Sequence, residues 1–221
     1  MNKKNGYYEA ARLDLIRLIP AGAKKILEVG CGSGVTGLAI KDRLGAYIEV
    51  TGVELNPDAA SKAKCRIDTV LVGDVETLTL PFEAGTFDCI IYGDVLEHLK
   101  DPWGLLKRQR PLLTPGGCAI ASIPNIAHYR ILKMLRKREW RYEDSGILDR
   151  SHLRFFTIRS IETMFDGAGF DVLRIERKLG ASKVKRFLNA LCLNAFVDSL
   201  TEQYLVVASQ KSNTAAANTV E

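Results

Sequence analysis

The stretch Glu28-Val-Gly30-Cys-Gly32-Ser-Gly34 stands where the apolar run Ile26–Val29 gives way to a helix-patterned run, Val35–Leu44. Three glycines at alternate positions let the main chain turn sharply and let a ligand approach it with no Cβ in the way. In open α/β sheets ligands bind at the C-terminal ends of the strands, and a glycine turn between the first strand and its helix belongs there. A dinucleotide-binding turn would read GxGxxG, but Val35 stands where its third glycine would be. The GxGxG pattern, with an acid two residues ahead of it, suits a ligand without a pyrophosphate.

The rest of the chain supports this reading. Tyr8, Ala11, Leu15 and Leu18 follow helical spacing and predict an opening helix to about Ile19, ended by Pro20-Ala-Gly. Strands are expected at Ile26–Val29, Tyr47–Val53, Thr69–Val72 and Thr86–Tyr92, with helices at Val35–Leu44 and Pro57–Cys65. Asp101 should cap a helix starting at Pro102, and Gly116-Gly117 should turn the chain into a fifth strand ending near Ser122. Alternating β and α units imply a mostly parallel sheet with helices on both faces. After Pro124 the rhythm breaks, and residues 126–153 read as a basic, aromatic insertion. It returns with Thr157 as cap, a helix over Ile158–Phe165 stopped by Gly167/Gly169, and strands at Asp171–Glu176 and Gln203–Ser209. Val184–Val197 between them reads as helical. One domain over 1–211 and a disordered tail over 212–221 are expected.

Composition excludes several classes. Five cysteines at 31, 65, 89, 118 and 192, with no CxxC, argue against a disulfide framework or a zinc site and for a reducing compartment. Residues 1–9 carry no signal-peptide pattern, and no stretch approaches the ~20 apolar residues of a membrane span, so a cytoplasmic location is expected. The net charge of +5 comes wholly from residues 126–221, with 16 Lys/Arg against 11 Asp/Glu; residues 1–125 hold 15 of each.

Further ligand-site candidates follow the strand ends. Glu54, 20 residues after Gly34, can accept hydrogen bonds from both hydroxyls of a ribose. Gly73-Asp74-Val75 offers an acceptor for an exocyclic adenine amine, with apolar neighbours for the ring. Phe87-Asp-Cys-Ile-Ile-Tyr92-Gly93-Asp94-Val-Leu-Glu97-His98 ends the fourth strand beside the first, where the reacting end of a ligand should lie.

Together EVGCGSG, VELN, GDVE, FDCIIYGDVLEHL and LLTPGG resemble the class I S-adenosylmethionine-dependent methyltransferases, in that family's order and spacing, over roughly residues 8–178 and again at the last strand. Many relatives have Asp in place of Glu28, an exchange that keeps the charge. The resemblance implies a seven-stranded Rossmann-like sheet, here with a helical cap inserted after the fifth strand. It assigns the methionine part of the cofactor to the loop of Glu28, Gly30, Cys31, Gly32 and Gly34, with Tyr92, Gly93 and Asp94 alongside. Ribose falls to Glu54 and adenine to Asp74, with Leu55 and Val75 also counted among the cofactor-binding residues. Tyr8 and Arg12 would belong to an N-terminal lid of the kind that folds over the cofactor in relatives. The segment Gly146–Thr157, preceded by Pro124-Asn125, is similar to small-molecule methyltransferases of cell-surface glycan and secondary-metabolite clusters. Val95-Leu-Glu97-His98 is similar to ubiquinone-pathway O-methyltransferases.

The implied reaction is methyl transfer to a small-molecule or glycan/lipid-linked acceptor, at oxygen. An oxygen nucleophile needs a base. Of His98, His128 and His152, the first choice is His152, in the patterned segment leading out of the insertion; the alternative is that it only fixes that insertion. His98 is expected on the cofactor or acceptor side, and His128 as a helix cap. No metal site is assigned, although Asp94, Glu97 and His98 could converge on a divalent ion, as the ubiquinone-pathway relatives imply. The basic run Arg130–Arg141 is expected to cap the acceptor pocket and to favour an anionic or lipid-linked acceptor, with Arg136, Lys137 and Arg138 selecting it. Lys183–Val197, basic then apolar, could rest transiently at a membrane surface. An NAD-dependent oxidoreductase, an aminopropyl transferase and a non-catalytic S-adenosylmethionine-binding module remain as alternatives. Nucleic acid is not expected as a partner, since no recognised RNA-binding module or Asn-Pro-Pro-aromatic motif is present.

Overall fold

The structure is a computed structural model and describes residues 10–180, 193 and 196–211. Seven strands, β1 (Lys25–Val29), β2 (Glu49–Glu54), β3 (Thr69–Val72), β4 (Phe87–Gly93), β5 (Leu113–Pro124), β6 (Phe170–Leu179) and β7 (Thr201–Gln210), form one sheet in the order β3-β2-β1-β4-β5-β7-β6. β1 to β5 pair in parallel, and β7 runs antiparallel to both β5 and β6. The order reverses beside β1, which lies between β2 and β4, and a crevice opens at the carboxyl ends of strands at such a switch point. β4 is apolar but for Asp88 near its start because both faces are covered, so Ile90 belongs to one core layer and Ile91 to the other.

Local chemistry sets the helix starts. Asn56 Oδ1 accepts from the amides of Asp58 and Ala59 and opens α3 (Pro57–Ala63). Asp101 Oδ1 accepts from Gly104 N at 2.9 Å and opens α4 (Pro102–Gln109). Thr157 and Ser160 cap α6 (Ile158–Gly167) reciprocally. α2 (Val35–Leu44) starts from Gly34, whose φ of +78° is left-handed; a Cβ there would stand 2.9 Å from the Cα of Ala63.

Some bounds differ from the sequence reading. The first helix shrinks to α1 (Leu13–Ile16), followed by tighter i→i+3 turns at Leu18 and Ile19 as the chain approaches Pro20. β5 begins before Gly116-Gly117: Leu113 already pairs with Phe87, and the register slips before Cys118 pairs with Cys89, with Gly116 absorbing the slip at φ +83°. Within the insertion, α5 (Tyr129–Arg136) starts at His128, which caps it through Arg130 N as expected. The insertion is closed by a bridge between Asn125 and Phe156, and its returning end is pinned where the amides of Leu153 and Arg154 both donate to the Glu97 carbonyl, at 2.8 and 3.0 Å. Most of the Val184–Val197 segment, and the expected tail, lie outside the described residues. Among the described residues no helix is long and apolar enough to cross a membrane.

One acid is buried beneath the glycine turn. Glu28, on β1, is 6% exposed. Burial pushes its carboxyl up to about 8; the Thr36 hydroxyl pulls it down and the charge of Glu54 pushes it further up. The folded value lies above the unfolded one, so this group's stabilising contribution is complete below about pH 4.5 and is lost as pH rises through about 8. At ~1.4 kcal/mol per pH unit, the ligand-free protein is expected to lose roughly 3–5 kcal/mol across that window through Glu28. Denaturant melts of the parent and of Glu28→Gln from pH 5 to 8 check this. The variant should show a shallower decline, and equal slopes would show that Glu28 is ionised in the folded chain.

Candidate active site

Two cavities open at the carboxyl edge of the sheet. The first, about 510 Å³, lies at the switch point between the ends of β1, β2, β3 and β4. Its floor is the glycine turn. The amides of Gly30 and Cys31 donate to the Val53 carbonyl at 2.8 and 3.1 Å, which folds the turn onto the end of β2. Gly30 is left-handed, and a Cβ on it would stand 2.6 Å from a Val95 methyl. Glu54 is 7% exposed, and its carboxylate accepts from Gly32 N and from Asn56 N, both at 2.8 Å. Asp74 Oδ1 accepts from Glu76 N at 2.9 Å, which sets its carboxylate at the rim beside Val75. Arg12, Glu28, Cys31, Gly32, Leu55, Gly93, Asp94 and His98 complete the expected set on this wall. Burial, with the neighbouring Glu28 and Glu54 charges, pushes the Cys31 thiol far up, so it is no nucleophile.

Three expected cofactor residues fall elsewhere. Tyr92 does not line the cavity: its ring is fully buried and its hydroxyl bonds Gln109 Oε1 at 2.8 Å, because it points into the core layer under α4. Gly34 serves the packing of α2 against Ala63 and is absent from the wall. Tyr8 lies outside the described residues, and so does most of the lid.

The second cavity, about 820 Å³, lies under the insertion. α5 contributes Tyr129, Arg130, Ile131, Lys133 and Met134; the loop after it contributes Glu143 and Ser145–Asp149; β6 and β7 supply Lys178, Glu202 and Gln203. Asp94 lines both cavities. Its φ of +57° is left-handed, and its carboxylate accepts from Arg12, from Gln203 and from Ser122 Oγ, the last at 2.8 Å. Strained backbone of this kind persists only where its surroundings hold it. Thr36, Ser122 and Gln203 carry no motif; β5, β7 and α2 bring them here.

The two histidines meet at the divide. His98 lines the first cavity and His152 the second, and their rings stand edge to face with centroids 4.7 Å apart. His98 Nδ1 lies 3.1 Å from the Ser151 carbonyl and His152 Nδ1 lies 3.0 Å from the Ile147 carbonyl. A carbonyl oxygen only accepts, so Nδ1 donates in both rings. His152 therefore fixes the insertion through Nδ1. Ligating atoms of Glu97, His98 and His152 all lie within 4.8 Å of one another. Asp94 stands outside that group, held by Arg12, Ser122 and Gln203.

The basic run divides. Arg130 and Lys133 reach the cavity wall, whereas Arg136, Lys137 and Arg138 are exposed at and beyond the end of α5 and do not line it. The wall is not predominantly cationic either, since Asp94, Glu97, Glu143, Asp149 and Glu202 also line it and Arg130 lies 3.8 Å from Glu143.

The comparisons agree with this geometry. A family model described as a methyltransferase domain matches residues 3–175. The ubiquinone biosynthesis O-methyltransferase of Psychrobacter arcticus is 31% identical over 179 residues, 76% of this chain and 67% of that protein. The protein of the same name from Xanthomonas axonopodis is 36% identical over 116 residues, 49% of this chain; the match spans about half of that relative's length, 46%. A solved S-adenosylmethionine-dependent methyltransferase from Archaeoglobus fulgidus superposes with a TM-score of 0.65 at 20% identity, covering 90% of this chain and 91% of that one, and shares the fold. The missing third glycine of a dinucleotide turn, the ligand cavity at the switch point and the family match lead to one conclusion: the chain belongs to the class I S-adenosylmethionine-dependent methyltransferases.

Proposed function

We propose that this methyltransferase moves the methyl group of S-adenosylmethionine onto a hydroxyl oxygen of a small-molecule acceptor held in the larger cavity, with His152 as the base. The observation that carries this is the junction of the two cavities at Asp94, with His98 and His152 facing each other across it. The sulfonium already makes the methyl carbon electrophilic, so the protein's task is to hold oxygen, methyl and sulfur in line. S-adenosylmethionine would supply the electrophilic methyl group and keep the C–S electron pair on its sulfur, while His152 would take the proton of the attacking hydroxyl. Tyr129, Ile131, Met134, Ile147 and Leu148 offer an apolar bed for the acceptor, and Arg130 and Lys133 two cations at its side. That lining suits an amphiphilic acceptor with a hydroxyl and a polar group that Lys133 can meet. Relatives that work in ubiquinone biosynthesis support a quinone-ring precursor over a glycan intermediate.

A second reading of the same atoms adds a divalent cation. One carboxylate and two imidazoles, each imidazole oriented through Nδ1 on a carbonyl, form a donor set that fits such an ion. Glu97, His98 and His152 would hold it, and it would acidify the acceptor hydroxyl. Chelation that stops turnover but leaves S-adenosylhomocysteine binding intact selects this reading.

Three outcomes are expected with any hydroxylated acceptor found by a turnover screen. His152→Gln should lower kcat by about 100-fold or more and change S-adenosylhomocysteine affinity less than twofold; full activity in that variant removes His152 as the base. Lys133→Ala should raise the acceptor KM severalfold. The triple change of Arg136, Lys137 and Arg138 to Ala should leave KM alone, and steady-state kinetics of the two variants would show the reverse pattern if the exposed charges select the acceptor.

A further inference from the structure

Arg12 and Asp94 form an ion pair at the seam of the two cavities. Arg12 sits over the glycine turn, its amide donating to Thr36 Oγ1 at 3.3 Å in the first turn of α2. Its guanidinium bonds Asp14 through Nε and Nη2 at 2.9 and 3.1 Å, Ser122 Oγ at 2.9 Å, and Asp94. Among the described residues the other lysine or arginine on this cavity wall is Lys100, at the end read as the adenine side, where its amide bonds Glu76. The carboxylate of the cofactor's methionine part would therefore meet Arg12, a cation already shared by two acids.

Those two acids differ in how readily they yield. Asp14 grips Arg12 through both oxygens and is also bonded by Lys178 at 3.1 Å. Burial alone would push its carboxyl up, but Arg12 and Lys178 hold it at about 2. Asp94 meets Arg12 through one oxygen, while its other oxygen is held by Ser122 and Gln203, so it keeps two donors if Arg12 turns away.

We infer that Asp94 and the carboxylate of S-adenosylmethionine compete for Arg12, so that cofactor binding releases Asp94 to the acceptor cavity that it also lines. Asp94 is thus a positioning residue that couples the two sites: the acceptor cavity gains an uncompensated carboxylate only once the cofactor is seated. Coupling of this kind is reciprocal, so whatever engages Asp94 from the acceptor side favours the cofactor. The inference rests on the cofactor assignment and on Arg12 meeting the methionine part.

The test compares S-adenosylhomocysteine with 5′-methylthioadenosine, which lacks the amino-acid part, by titration calorimetry. Removing a competing, partly exposed ion pair should raise affinity, so Asp94→Asn should bind S-adenosylhomocysteine about threefold tighter than the parent. Arg12→Gln should bind it about tenfold or more weaker, and on that background Asp94→Asn should give no gain. 5′-Methylthioadenosine should bind all four proteins alike, which also certifies that each is folded; if Asp94→Asn does not fold, Asp94→Ser takes its place. Unchanged or weaker S-adenosylhomocysteine binding in the Asp94 variant overturns the competition and makes Asp94 a direct contact of the cofactor or a purely structural residue. Failure of the parent to bind S-adenosylhomocysteine would instead overturn the cofactor assignment beneath it.

Discussion

The rest of the site hangs on one carboxylate. Glu54 ends β2 almost fully buried, where a charge is costly unless hydrogen bonds replace its water. Its two oxygens take the amides of Gly32 and Asn56, so one residue fastens the glycine turn to the end of β2 and starts the turn that leads into α3. The turn can lie so close only because its residues carry little bulk: Gly30 faces Val95, and Gly52 on β2 faces the Cys31 side chain, with the sulfur 2.4 Å from where a Cβ would stand. The cavity above is what remains once the turn is folded down in this way.

The division of labour between the two cavities follows from topology. β1, β2 and β4 surround the switch point with short, local connections and build the smaller cavity, the side proposed for the cofactor. The other side is built from parts distant in sequence: the insertion after β5, and β7 returning antiparallel beside it. Asp94, at the left-handed end of β4, is where they join. The pinning of Leu153 and Arg154 to the Glu97 carbonyl, and of His98 Nδ1 to the Ser151 carbonyl, binds the insertion to the cofactor side, so the orientation of His98 depends on where the insertion sits.

This division also explains what the sequence makes legible. The strands, the caps at Asp101 and Thr157, and the placing of Glu54 and Asp74 at strand ends are readable because strand, turn and helix are neighbours in the chain and each obeys a local rule. Tyr92 misleads because β4 is buried on both faces; without alternation there is no period to say which side a ring takes. Gly34 misleads because a left-handed glycine can serve ligand approach or helix packing, and only the position of Ala63 decides. Arg136–Arg138 and Arg130 look alike as charges in a row, yet only the turn of α5 puts Arg130 on the cavity wall. Ser122 and Gln203 leave no trace at all, since their convergence on Asp94 depends on the β5–β7 pairing.

The most direct test of the whole account is the affinity of Glu54→Ala for S-adenosylhomocysteine, measured by titration calorimetry beside the parent. A hydrogen bond to a charged group contributes roughly 1.5–3 kcal/mol, so loss of the carboxylate that shapes the turn and is read as the ribose contact should weaken binding about 10- to 100-fold. A variant that folds and binds as tightly as the parent would contradict the claim that Glu54 organises the cofactor site.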